Sequence, residues 1–151
     1  MIALETLTVL LGLVALATVL GLVWRARTGR IQRTRTSATD ADNRISIAGA
    51  PEFGTRVTLL QFSTEVCTPC KTTHTLLSGL ADELDDGRGE IVHVNFDVTS
   101  RPDIANQFNL LQSPTTFILD GNGVLQARIG GAPKINDVRA ELDRMLSPAF
   151  G

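Results

Sequence analysis

The chain has 151 residues, 43% of them hydrophobic, which is enough for one ordinary domain with a buried core and some residues to spare. The formal net charge of −2 is unevenly spread, because from Asp40 onward there are 15 acidic residues and only 9 basic ones. Nucleic-acid binding needs a basic face, so this acidic part of the chain is not expected to bind nucleic acid.

The first segment is almost continuously apolar from Ile2 to Trp24, and its few polar residues form no stripe. Its length approaches the ~20 residues that a helix needs to cross a bilayer. Trp24 ends the run, where an indole favours the headgroup region. A cleaved signal peptide is the alternative, but that class has a basic start and a shorter apolar stretch. We therefore predict an uncleaved transmembrane anchor in residues 1–28 that contacts membrane lipid through residues 2–24.

The residues after this segment indicate its orientation. Five arginines follow the apolar run closely, and no Lys or Arg precedes them: Arg25, Arg27, Arg30, Arg33 and Arg35. Basic flanks are retained on the cytoplasmic side, so we expect a single-pass protein of the cell membrane with its domain in the cytoplasm. An extracytoplasmic domain is the alternative. Residues 29–50 are predicted to be a polar tether that is flexible from about Gly29 to Asn43, with Ile45–Ile47 as a possible short element.

Residues 51–151 are predicted to form one α/β domain. Periodicity and turn residues predict four strands (Val57–Phe62, Ile91–Phe96, Thr115–Leu119 and Val124–Ile129) and three helices (Cys67–Leu84, Pro102–Phe108 and Lys134–Met145). A helix joins the first two strands, which predicts a parallel pair. The turn at Asp120–Gly123 predicts an antiparallel hairpin for the last two. The expected fold is a mixed sheet flanked by helices on both sides.

The two cysteines, Cys67 and Cys70, lie between the first predicted strand and its helix. Within one helical turn their Cα atoms would be about 5–6 Å apart, a distance that a disulfide can bridge. The helix N-terminus favours a thiolate at Cys67, whereas Cys70 should be more buried. We therefore predict a redox pair in which Cys67 attacks a target disulfide and Cys70 resolves the mixed disulfide.

Other uses of the cysteine pair fit the sequence less well. A zinc site needs four ligands, and only Cys67, Cys70 and His74 are close together in the sequence. Haem attachment would need a histidine directly after the second cysteine, where Lys71 stands. No cofactor or metal is expected beyond the redox-active disulfide itself. His93 is predicted to be a histidine of the core.

Several further segments lie at characteristic distances from the two cysteines along the sequence. They are Phe62–Lys71 (FSTEVCTPCK), Phe96–Val98, Pro102–Ala105, Ser113–Thr115 and Gly130. Together they resemble the thioredoxin family over roughly Thr55 to Leu146, and the anchor resembles that of membrane-tethered bacterial members. The resemblance implies a thioredoxin-like fold and a cis Ser113–Pro114 bond beside the dithiol. It also implies substrate contacts from Val66, Thr68, Pro69, Ser113, Pro114, Ile129 and Gly130.

The chain departs from the family pattern around the dithiol. Val66 stands where the family usually has Trp, and Gln61 stands where a buried Asp often takes the proton of the resolving cysteine. The Lys that often faces this Asp is matched here to Asn95, so a neutral Gln61–Asn95 pair is predicted. Water or Glu65 then becomes the candidate proton acceptor for Cys70.

The sequence thus predicts a membrane-tethered thiol–disulfide oxidoreductase that reduces disulfides of protein partners. The resemblance implies that a reductase or a membrane electron donor supplies it with electrons. Two alternatives remain open at this point: a membrane-anchored binding module in which the thiols play a minor part, and a thiol oxidase that faces outward.

Overall fold

The computed structural model describes residues 2–34, 44–49 and 51–147. In chain order the elements are α1 (Ile2–Arg27), β1 (Ile31–Arg33), β2 (Val57–Ser63), α2 (Thr68–Leu84), β3 (Ile91–Asp97), α3 (Pro102–Gln107), β4 (Thr115–Asp120), β5 (Leu125–Gly130) and α4 (Ile135–Leu146). From β2 onward the elements confirm the predicted helices and strands, and each boundary agrees to within one residue.

The strands form one mixed sheet in the order β1-β5-β4-β2-β3. β2 pairs with β3 in parallel and with β4 antiparallel, and β4 and β5 form the predicted hairpin. β2 lies in the middle, and all seven of its residues are buried. A strand covered on both faces reads as a continuous apolar run, which is why its sequence lacks strict alternation.

The core is divided by the sheet into two clusters. On one face, Leu59 of β2 packs with Leu77 of α2 and Leu142 of α4. On the other face, Phe62 packs with Phe117 and with Ile104 of α3. Helices therefore cover both faces, as predicted, because neighbouring strand residues point to opposite sides of the sheet.

The segment before the domain is more structured than a flexible tether. Ile31–Arg33 forms strand β1 on the edge of β5, and Ile45 and Ile47 are buried against the second core cluster. The prediction of a flexible tether was therefore wrong for Ile31–Arg33, while residues 35–43 lie outside the described part of the chain. A three-residue edge strand among polar residues gives no periodic signal in the sequence; its stability comes from pairing with β5.

A buried carboxylate joins β1 to α4. Glu141 is only 1% exposed and accepts hydrogen bonds from Arg33 Nε at 2.9 Å and from the Arg144 guanidinium. Burial alone raises the pKa of Glu141, but the hydrogen bonds from Arg144 and Arg33 outweigh it and hold the pKa below its ordinary value. The carboxylate is therefore charged when folded and anchors the edge strand.

Helix α1 has the properties of a candidate membrane span. The 22 residues from Glu5 to Ala26 are apolar enough to cross a membrane, and they extend roughly 33 Å as a helix. All side chains of residues 5–26 are exposed, so this helix packs into neither core cluster. A signal sequence near the N-terminus shares this length and composition, whereas a helix of a soluble core does not share this exposure.

Glu141→Gln should destabilise the domain, because two arginines lose their charged partner at a buried site. Since Arg33 is 64% exposed, we expect a loss of about 1–3 kcal/mol in the free energy of unfolding, less than for a fully buried pair. The matched control is Glu83→Gln, which breaks the exposed pair with Arg139 and should cost clearly less stability, because water screens both side chains. Urea denaturation of the full chain in mild detergent, followed by circular dichroism, measures both; equal losses would contradict this account.

Candidate active site

The two cysteines lie where β2 leads into α2. Cys67 is the N-cap of α2, with extended backbone, and its Sγ accepts a hydrogen bond from the Cys70 N–H at 3.2 Å. A disulfide joins the two residues, and their Cα atoms are 5.2 Å apart, as predicted. Cys67 is partly exposed, whereas Cys70 is 4% exposed. The sulfur of Cys67 is thus at the surface, at the positive end of the helix dipole, and the sulfur of Cys70 lies behind it.

The Ser113–Pro114 segment lies at the same end of the sheet as the disulfide. Its peptide bond is cis, as the resemblance implies. Thr115, which follows it, pairs with Phe62 near the end of β2. Ser113 is exposed, and within the described residues no group hydrogen-bonds to its main chain. The Ser113 N–H and carbonyl are therefore free to pair with an extended segment of a partner.

The predicted contact residues divide into surface and core positions. Val66, Thr68 and Pro69 surround Cys67 and are exposed, and Val66 is 97% exposed. Gly130 lies opposite Thr115 at the end of β5, and an added Cβ there would overlap the Gln112 side chain. Ile129 is fully buried in the first core cluster, so its predicted place in a surface patch was wrong. Strand alternation explains this, because Ile129 points into the core.

The expected pair of Gln61 and Asn95 is not formed. Gln61 is fully buried; its Nε2 donates to the Cys70 carbonyl at 2.9 Å, and its Oε1 lies 3.2 Å from Nε2 of His93. Asn95 instead accepts a hydrogen bond from Ser63 at 2.8 Å. Gln61 and Asn95 are neighbours in the β2–β3 register, but their side chains find other partners. The residue that faces Gln61 is therefore His93, for which the sequence predicts only a place in the core.

His93 is held in its neutral form. Because Gln61 uses its amide N–H to bind Cys70, its oxygen accepts from Nε2–H of the imidazole. Burial lowers the pKa of His93 to about 4; the nearby His74 adds to this, and Asp82 opposes it. The rings of His74 and His93 are 5.0 Å apart. A neutral hydrogen-bonded chain thus runs from β3 to the backbone of the resolving cysteine.

A groove of about 340 Å³ opens beside the dithiol. Cys67, Cys70 and His74 line it from α2, and Glu65 and Asn95 line it from the neighbouring loop and strand. The exposed His74 therefore faces this groove. Cys70 and Glu65 thus border the same groove.

Comparison with known proteins agrees with this geometry. The thioredoxin family model matches residues 38–144, well over half of the chain. A thioredoxin of Chlorobaculum thiosulfatiphilum is 27% identical over 60% of this chain and 81% of its own length. Thioredoxin H2 of Arabidopsis thaliana is 33% identical over 52% of this chain and 56% of its own length. Among solved structures, thioredoxin f2 of Chlamydomonas reinhardtii has a TM-score of 0.52 at 23% identity, covering 63% of this chain and 83% of that chain.

Because the pKa of His93 is lowered in the folded protein, we predict that the free energy of unfolding decreases as the pH falls. An unfolded histidine takes up a proton near pH 6.5 and the folded one near pH 4, so lowering the pH between these values favours unfolding. His93→Gln keeps a donor for Gln61 but cannot titrate. Between pH 7 and pH 5 we expect the wild type to lose about 1 kcal/mol more stability than this variant, after allowance for the partly exposed ring.

The measurement is urea denaturation at both pH values, with His74→Gln as the control. That variant removes an exposed imidazole and should still lose most of the stability that the wild type loses between pH 7 and pH 5. Identical pH dependence in the wild type and in His93→Gln would show that His93 is not held neutral by its surroundings.

Proposed function

Because this chain belongs to the thioredoxin family and is a thiol–disulfide oxidoreductase, we propose that it is tethered to a membrane and reduces disulfides of protein partners. The observation that carries this proposal is the disulfide-bonded Cys67–Cys70 pair at the N-terminus of α2, with Cys67 open to solvent and Cys70 behind it. The main chain of Ser113 is exposed at the same end of the sheet, and no described residue hydrogen-bonds to it, which supports a protein substrate over a small molecule.

The reaction is a pair of exchanges between sulfurs. The Cys67 thiolate attacks the partner's disulfide, so a Cys67–partner bond forms, the partner's S–S bond breaks, and one partner sulfur leaves as a thiolate that takes up a proton. Cys70 then loses its proton and attacks Cys67. The Cys67–Cys70 disulfide forms, and the second partner sulfur is released. Two electrons pass to the partner, and a reductase or a membrane electron donor must return them.

The surroundings suggest how each step is assisted. The N–H groups at the start of α2 stabilise the Cys67 thiolate. The deprotonation of Cys70 uses water in the groove or Glu65, since Gln61 cannot accept a proton. Gln61 itself holds the carbonyl of Cys70 in place and acts as a positioning residue. Val66, Thr68, Pro69, Ser113, Pro114 and Gly130 are the proposed contacts with the partner chain, and Asn95 borders the groove.

The proposed tether is α1, with residues 2–24 in contact with lipid. The arginines that follow the apolar run favour a domain on the cytoplasmic side, where thiols are kept reduced and reduction of partners is the expected direction. The opposite orientation would favour the outward-facing thiol oxidase. A binding module of the same fold, in which the thiols are dispensable, is the second alternative.

Trapping of intermediates separates the oxidoreductase from the binding module. In Cys70→Ser, Cys67 can still attack a partner, but the mixed disulfide cannot be resolved, so covalent complexes should accumulate and appear on non-reducing gels. Cys67→Ser is the matched control and should form none of these complexes. Both variants should lose insulin reduction. A Cys67→Ser protein with full biological activity would favour the binding module.

Sidedness is tested by a membrane-impermeant thiol reagent on intact cells. Cys67 of the Cys70→Ser variant should react only after the membrane is permeabilised, because the basic flank is retained in the cytoplasm. A cysteine introduced by Ile2→Cys in a Cys67→Ser/Cys70→Ser background reports the other end of the helix and should react in intact cells. Ready labelling of Cys67 from outside would reverse the proposed orientation.

A further inference from the structure

The junction between α1 and the sheet is very short. α1 ends at Arg27, and the N–H of Gly29 already donates to the Gly130 carbonyl at 2.8 Å. The pairing continues along β1, where Ile31 lies opposite Ile129. A single residue, Thr28, thus separates the end of the helix from the first hydrogen bond to the domain. Two residues of chain span at most about 7 Å, so the end of α1 lies close to Gly130.

The junction is also closely packed. Gly29 has a φ of +78°, and a Cβ at this position would overlap the carbonyl of Ala132. Thr28 in turn packs against Gly131. A Cβ added to Gly131 would lie 2.5 Å from Cγ2 of Thr28. Gly131 donates its N–H to the Pro114 carbonyl at 2.8 Å. A continuous set of contacts therefore connects the end of the helix to the cis-proline segment of the active site.

The sheet register places the helix end and the dithiol at one end of the domain. Gly130 lies opposite Thr115, and Thr115 lies opposite Phe62, so the end of β5 and the start of β4 meet the end of β2 that leads to Cys67. The turn at Asn122 lies at the other end of the same strands. A six-residue strand separates the two ends by about 20 Å.

The end of the domain that carries the junction also carries its most exposed large hydrophobic side chains. Outside α1, the large hydrophobic residues of the described chain that are most exposed are Val66, at 97%, and Leu111, at 82%. Val66 precedes Cys67, and Leu111 lies three residues before Pro114. Both therefore lie beside the dithiol, at the end of the sheet to which α1 is attached.

We propose that the domain is held with its dithiol end toward the bilayer, so that its partner is an integral membrane protein whose cysteine pair lies at the membrane surface. This inference rests on the proposed membrane tether and dithiol exchange. Trp24 and Arg25 mark the headgroup level, and the short packed junction keeps Cys67 close to that level. A partner disulfide fixed at the same level meets Cys67 at a high effective concentration, which a soluble partner does not share.

The orientation is measured on the full chain in liposomes. One label is placed on Cys67 in Cys70→Ser, and a second on the cysteine of Asn122→Cys in a Cys67→Ser/Cys70→Ser background. Nitroxide lipids labelled at the headgroup should quench the Cys67 label several-fold more than the Asn122 label. Equal quenching, or stronger quenching at position 122, would overturn the proposed orientation. A chain that fails to enter liposomes would instead contradict the membrane tether itself.

The consequence for the partner is measured with a longer junction. A flexible Gly-Ser insertion of twelve residues between Arg27 and Thr28 leaves the dithiol unchanged but releases the domain from the bilayer surface. Reduction of a peptide disulfide attached to a phospholipid headgroup should fall about tenfold, while reduction of the same peptide disulfide in solution should not change. The matched control has the same insertion after Asn122 and should behave as the wild type in both assays.

The outcomes separate the inference from the function on which it depends. If neither rate changes on insertion at the junction, the membrane-surface partner is excluded and the oxidoreductase remains. If the wild type reduces the disulfide on neither lipid nor free peptide, the proposed reductase function fails. Protection of Cys67 from water-soluble thiol reagents in liposomes would mean that lipid covers the dithiol end, and would exclude a protein partner there.

Discussion

The antiparallel pairing of β2 with β4 is the constraint on which the site depends. β2 delivers Cys67 at its carboxyl end, and β4 begins directly after Pro114, so their opposite directions bring the dithiol and the cis-proline segment to one end of the sheet. Every residue of β2 is buried, which fixes its register, since a slip of one residue would turn Phe62 and Leu59 to the wrong faces. The positions of the two sulfurs are thus fixed by the apolar packing of β2, at a distance from the sulfurs themselves.

Beneath the dithiol the protein uses a neutral network where a charged pair could stand. Gln61 is fully buried with both amide atoms engaged, one by the Cys70 carbonyl and the other by His93. A buried amide with satisfied hydrogen bonds costs less than a buried carboxylate, and it cannot accept a proton. The arrangement therefore favours a fixed backbone at Cys70 and leaves no titratable carboxylate at the position of Gln61.

The same sheet links the dithiol to helix α1. β1 is short, yet its pairing with β5 and the contact of Arg33 with the buried Glu141 secure it to both the sheet and α4. Because the chain enters this strand one residue after α1, the position of the helix is coupled to the end of the sheet that carries the dithiol. A tether that was flexible up to the first core strand would not transmit this orientation.

The sequence by itself determined the order of helices and strands from β2 onward and the identity of the redox pair, because both depend on local patterns: periodicity, turn residues and the spacing of Cys67 and Cys70. Only the tertiary structure decided which side chains meet across strands. In the structure, His93 and not the expected Asn95 contacts the side chain of Gln61, and Ile129 is buried in the core. Ile31–Arg33 pairs with β5 as an edge strand. The physical reason is that cross-strand contacts and edge pairing depend on side-chain direction and register between distant segments, and no local pattern in a single sequence encodes them.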